Sequence, residues 1–185
     1  MGAIDFKFEV DHDEFGAFRG VEKAVFRALK KAGGDGLRAM RADGKRQVRG
    51  RKSIKAAYLA NRSLPLSFPG GHKIDGLVWV MSVSGKEIPL SKYPARQTKR
   101  GVSILVNKGK RKLVPKAFVA TMKSGHTGVF LREGKARLPI KHALSSRVSD
   151  VFRNPGLADA VQTRGGEVMA GAFRRLFPLE VAKGR

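Results

Sequence analysis

Histidine is the first residue type to test for chemistry, and this chain has four: His12, His72, His126 and His142. A metal ligand or a general base needs a second group at a fixed spacing. The nearest carboxylates, Asp11, Asp13 and Asp75, provide no spacing that orients a nucleophile or closes a zinc site. His12 between Asp11 and Asp13 reads as a solvated lead-in to a helix rather than a divalent-ion site. The remaining acids are too few and too dispersed for a paired acid/base site or for the clustered metal ligands of a basic nuclease. Gly33-Gly34 and Gly70-Gly71 lack the Gly-Lys-Ser/Thr of a phosphate loop and read as turns. Cysteine is absent, which excludes disulfides and thiolate metal sites and fits a reducing compartment. No catalytic, cofactor-binding or metal-binding residue is expected.

Positive charge is the chemistry that the chain does carry. Lysine and arginine number 38 against 15 aspartates and glutamates, a formal net charge of +23. A field of that size calls for counterions, nucleic acid or an acidic partner. Between Arg38 and Arg62 nine cations face the single acid Asp43, and between Lys86 and Lys116 ten face the single acid Glu87. Arg46, Arg49, Arg51 and Lys52 in the first segment, with Lys108, Lys110, Arg111 and Lys112 in the second, are the candidates for contact with DNA phosphate or a protein partner. A solvated or protein-facing surface accounts for the same charge. Only Tyr58 and Tyr93 fall within these segments, too few for a base-stacking platform, and no sequence-reading motif accompanies the cations.

The elements that must position these residues read as α+β. At 185 residues and 42% hydrophobic, the chain suffices for one core and one domain. Phe15, Phe18, Val21, Val25 and Leu29 recur at helical steps, predicting an amphipathic helix over Asp13–Ala32 capped by Asp13. Gly33-Gly34-Asp35-Gly36 predicts a break, with a helical turn resuming over Leu37–Met40. Ser53 is placed as the cap of a short helix running to Asn61. The basic helical segment thus covers 1–62, and 63–76 is read as a linker because Leu64–Gly71 holds Pro65, Pro69 and a glycine pair.

An antiparallel sheet is expected over 77–140. Leu77 to Met81, with Val83, reads as a buried strand, and Val102 to Val106 as another, closed by the Asn107-Lys108-Gly109 turn. Lys86–Arg100, broken by Pro89 and Pro94, is expected to be a long mobile hairpin loop. Phe118 to Ala120 and Val129 to Leu131 read as an antiparallel pair around Ser124-Gly125, and Trp79 and Phe130 as core. Over 141–185 the expectation is helical: Lys141–Phe152, then Leu157–Phe177 weakened at Gly165-Gly166 and ended by Pro178. The amino terminus lacks the basic and apolar runs of a signal peptide, and no segment approaches roughly 18 apolar residues. The expectation is a soluble, unexported chain without membrane contact.

Ala117-Phe118, Lys123-Ser124-Gly125, the basic turn Arg132 to Arg137 and Arg137-Leu138-Pro139-Ile140 follow one another in a fixed order. That order resembles the minor tail protein Z family of tailed bacteriophages, most closely over Pro115–Phe152. Where members of the family carry Gly-Pro before a terminal Val-x-x-x-Phe, this chain has Ser145-Ser146-Arg147 before Val148. The resemblance implies a tail completion protein, a structural virion component at the head-proximal end of the tail. It implies a homo-oligomeric ring, with six subunits as the expected number, and partners such as the tail terminator and the head connector. It also implies a place at the head-tail junction after assembly in the host bacterial cytoplasm, and no enzyme activity. Arg132, Lys135, Arg137, Pro139 and Ile140, which carry the match, are the expected subunit contacts. The alternative from charge alone is a non-specific nucleic-acid-binding architectural protein.

Overall fold

The computed structural model describes residues 4–9, 21–59, 63–68 and 77–183. The class is α+β: two long helices pack against each other and onto antiparallel β structure. In chain order the elements are β1 (Ile4–Glu9), α1 (Glu22–Arg51), β2 (Leu66–Ser67), β3 (Val78–Val83), β4 (Glu87–Pro89), β5 (Ala95–Thr98) and β6 (Gly101–Asn107). They continue with β7 (Lys110–Pro115), β8 (Phe118–Thr121), β9 (Thr127–Arg132), β10 (Ile140–His142), β11 (Leu144–Arg147) and α2 (Pro155–Ala182). The strands form four small antiparallel sheets, ordered β1-β3-β2, β5-β6-β7, β10-β9-β8 and β11-β4.

The core lies between α1 and β3. Val25, Leu29, Leu37, Met40 and Val48 line one side of α1, and Trp79, Met81 and Val83 alternate inward along β3. That alternation is the period-two pattern of a half-buried strand, so the expectation for 77–83 is met and Trp79 is fully buried. The second expected pair forms as well: β8 and β9 meet in the register Phe118↔Phe130 and Ala120↔Gly128, with Gly125 in the turn at φ 76° and Phe130 buried. The Asn107-Lys108-Gly109 turn joins β6 to β7, with Gly109 at φ 78°.

Five local expectations are corrected. The glycines at 33, 34 and 36 do not interrupt α1, which runs unbroken for 30 residues. They are packing sites: a Cβ on Gly33 would collide with the Trp79 indole, and one on Gly36 would come 2.8 Å from the Gly165 carbonyl oxygen on α2. The proposed cap Asp13 lies outside the described residues. The helix expected after Ser53 is a single 3-10 turn, Ala56–Leu59, because the preceding backbone bonds elsewhere: Ser53 N–H donates to the Val106 carbonyl at 2.9 Å.

Lys86–Arg100 is not a loop. It holds β4, a 3-10 turn and β5, and it buries Ile88, Leu90 and Tyr93. Lys141–Phe152 is not helical either, since Ile140↔Arg132 pairs β10 with β9 and Leu144↔Pro89 pairs β11 with β4. Finally, α2 continues through Pro178 to Ala182. The proline removes one helical hydrogen bond, but the following turn is tied to α1 by Glu180, which receives Lys31 at 2.7 Å and Arg27 at 3.2 Å.

Of the segment read as a linker, Ser63 and Leu64 are buried and Leu66–Ser67 adds to the edge of β3, whereas 69–76 lie outside the described residues. The two helices run antiparallel, with Arg27 and Lys31 against Glu180 and Gly36 and Met40 against Gly165. Small residues at that crossing let the backbones approach and let neighbouring side chains fill the notches.

Candidate functional site

The face of α1 turned away from the core carries Arg38, Arg41, Lys45, Arg46 and Arg49, and it forms one wall of a groove of about 1030 Å³. The opposite wall and floor come from Ser53, Ile54, Ala56 and Leu59, from Pro94, and from Leu105 and Lys108 around the end of β6. Positions 38, 41, 45, 49 and 52 advance by three or four residues, so their cations form a stripe along one side of the helix, rising about 21 Å from first to last. Among the described residues the groove lining contains no carboxylate and no aromatic residue.

Hydrogen bonds at the end of α1 bring Lys108 to this stripe. Lys52 N–H continues the helix by donating to the Val48 carbonyl, Ser53 N–H donates to Val106, and Lys108 N–H donates to the Arg51 carbonyl at 3.0 Å. The helix carboxy terminus is thereby clipped to the β6–β7 turn. Basic residues in this last turn also meet the negative end of the helix dipole. Lys52 is buried, and its ammonium donates to the Ser146 hydroxyl on β11. Burial lowers its pKa from the usual lysine value, and the Asp150 carboxylate partly opposes that shift.

Among the described residues Lys45, Arg49 and Lys108 make no ion pair, whereas Arg46 reaches Asp43 at 3.4 Å and Arg38 reaches Asp35 at 2.7 Å. Four of the eight sequence-predicted contact cations, Arg46, Arg49, Lys52 and Lys108, thus belong to one groove. The other four do not. Arg51 turns to Gln47 at 3.2 Å, and Lys110, Arg111 and Lys112 stand on strand β7 rather than in a loop. Alternation along β7 sends Lys110 and Lys112 to a separate pocket of about 310 Å³ lined by Leu131, Leu144 and Ser145, while Arg111 bonds Ser103 at 3.2 Å. Sequence reading missed Arg38, Arg41 and Lys45. Their helical spacing with Arg49 was the available signal, and the break expected at Gly33–Gly36 hid it.

A second constellation is the turn between β9 and β10. Residues 132–139 are exposed throughout, and Leu138 is 67% exposed. The base of this turn is braced: Glu133 N–H donates to the Pro139 carbonyl at 3.2 Å, Lys141 pairs with Glu133 at 3.7 Å, and the Arg132 guanidinium lies 5.3 Å from the Phe118 ring centre. Arg132 and Ile140 face each other across the strands, and Lys135, Arg137 and Pro139 sit in the turn above them. All five expected contact residues therefore occupy one projection.

No family model, curated protein or solved structure matches this chain. The site rests on its own geometry.

The histidines are less scattered than their positions suggest, because pairing of β10 with β9 brings the rings of His126 and His142 to 5.5 Å. His142 also lies 4.6 Å from the Phe130 ring. Among the described residues no group of three or more histidine, cysteine, aspartate or glutamate side chains is placed to hold a metal ion. His12, His72, Asp11, Asp13 and Asp75 lie outside those residues. No helix among them is long and apolar enough to cross a membrane.

Proposed function

We propose that this chain is a tail completion, or minor tail, protein of a tailed bacteriophage. In this reading it is a structural part of the head-tail neck at the head-proximal end of the tail, and it works by assembling into a homo-oligomeric ring rather than by catalysis. The observation that carries the proposal is the braced projection at 132–140. Within the stretch that carries the family resemblance, residues 132–139 stand clear of the core, and the exposed apolar side chain of Leu138 shares the turn with Arg132, Lys135 and Arg137. An exposed turn of mixed apolar and cationic character, braced at its base, serves contact with another chain better than it serves the stability of its own.

Ring closure requires a heterologous interface, in which the projection of one subunit meets a different surface of the next. The further partners in this reading are the tail terminator and the head connector, with assembly in the bacterial cytoplasm and residence at the head-tail junction. Arg137 is exposed and lacks an ion pair among the described residues, so its charge is reversible without disturbing the core. Arg137→Glu is expected to abolish ring formation, read by light scattering on purified protein or on tail ends, while the circular dichroism spectrum and melting temperature stay those of the wild type. A variant whose oligomer profile matched the wild type would count against the projection as the subunit contact. A wild-type chain that neither oligomerised nor joined tail ends would sink the proposal as a whole.

A further inference from the structure

The groove along α1 is separate from the 132–140 projection, and its chemistry is of one kind. We infer that it is a docking track for the phosphodiester backbone of duplex DNA, held through phosphates and without reading bases. Among the described residues six cations, Arg38, Arg41, Lys45, Arg46, Arg49 and Lys108, line it with no carboxylate between them, while the Lys52 ammonium at its end is turned to Ser146. The helical stripe places cations about one turn, some 5 Å, apart over roughly 21 Å, so that several of them can meet the dense phosphates of a duplex, which carry a charge about every 3.4 Å along each strand. Lys45, Arg49 and Lys108 have no acidic partner among the described residues, so their charge is available to an incoming anion.

The lining also decides between kinds of polyanion. A single strand is held by stacking its bases on aromatic rings, and this groove has none among the described residues. An acidic protein segment needs a desolvated apolar centre with an anchoring pocket, and the centres of protein interfaces are depleted in charge. Here Ile54 and Leu59 are already buried in the core and Leu105 is half-buried, so the exposed apolar lining is Pro94 with small residues such as Ala42, Gly50 and Ala56, and offers no pocket for a large anchoring side chain. A hydrated phosphate backbone asks only for cations, donors and room. Ser53 adds a hydroxyl donor at the end of the stripe.

The test compares two double variants with the same change in net charge. Lys45→Gln/Arg49→Gln removes charge from the groove, and Lys110→Gln/Lys112→Gln removes it from β7. Binding of a random-sequence duplex of about 20 base pairs, two helical turns, is followed by fluorescence anisotropy across a salt series. The groove variant is expected to bind about tenfold more weakly and to lose about two units of the salt slope, while the β7 variant stays within about threefold of wild type. Single-stranded DNA of the same length is expected to bind more weakly than the duplex.

Equal losses in the two variants would overturn the inference, because the field of the whole molecule would then account for binding. So would a groove variant that loses affinity for poly-glutamate but keeps its affinity for duplex. Lys108→Gln, in a turn outside the helix, gives a second reading free of any effect on α1 stability. Each sample is matched for oligomeric state by light scattering, so failure of the ring reading leaves this outcome interpretable.

Discussion

Gly33 shows how one absent side chain can decide a local structure. A glycine within a helix costs about 1 kcal/mol relative to alanine, and the cluster at 33–36 carries that cost so that the Trp79 indole and the α2 backbone can close onto α1. Gly33→Ala is therefore expected to destabilise the fold by about 1–3 kcal/mol through overpacking, read as a lower melting temperature and urea midpoint. Gly50, in the same helix, is exposed and has open space where a Cβ would stand. Gly50→Ala is expected to raise stability by about 0.5–1 kcal/mol. Opposite signs for one substitution in one helix would confirm that packing, not turn chemistry, explains the cluster. The sequence shows the glycines but not what packs against them, so their local signal alone points to a break. The same misreading removed the helical register that would have joined Arg38, Arg41 and Lys45 to Arg49.

At the scale of elements, strong local patterns survived and short ones did not. The strand at Val78–Val83 and the Phe118/Phe130 pair were legible because apolar residues recur at the right period or flank a glycine turn. β4, β5, β10 and β11 are three or four residues long, and pairing is what makes them strands: β5 and β10 with a chain neighbour, β4 and β11 with each other across the chain, as Leu144 with Pro89. Such segments have no period of their own to read. The last turn of α2 depends likewise on a distant contact. Glu180 is buried, and hydrogen bonding from Lys31 is the largest cause holding its pKa below the ordinary 4.5, with Lys183 adding to the effect and burial opposing it. A carboxylate with a depressed folded-state pKa stabilises above the unfolded value and loses that contribution as pH falls through the folded one. Glu180→Gln should thus lower the melting temperature at neutral pH, and the gap from wild type should close in acid below 4.5. A gap that stayed constant from neutral to acid pH would show that the carboxylate's charge is not what ties α2 to α1.

For the molecule as a whole, net charge is the dominant unsatisfied term. The acids that the structure describes are largely engaged: Asp35, Asp43, Glu87, Glu133, Asp150, Glu167 and Glu180 each meet a lysine or arginine. Most cations are left to repel one another across a small domain. The isolated protein should accordingly gain melting temperature as salt is raised from low ionic strength, where the Debye length is about 30 Å, to physiological salt, where it is about 8 Å. Polyanions should stabilise it more than the same ionic strength of sodium chloride, since they bind the folded surface. A melting temperature indifferent to salt would show that the cations are too well separated to matter.

The antiparallel seam between α1 and α2 also bears on how the chain is made. Lys31 and Glu180 are separated by 149 positions, and the notch at Gly36 is filled only when Gly165 and Met169 arrive. During synthesis the first helix must leave the ribosome with that side uncovered and wait for most of the polypeptide to follow. The helix that joins the core last is also the one that completes it, so closure of this seam is gated by the emergence of α2. A nascent chain arrested before residue 155 would expose a glycine-lined apolar seam as a binding site for chaperones.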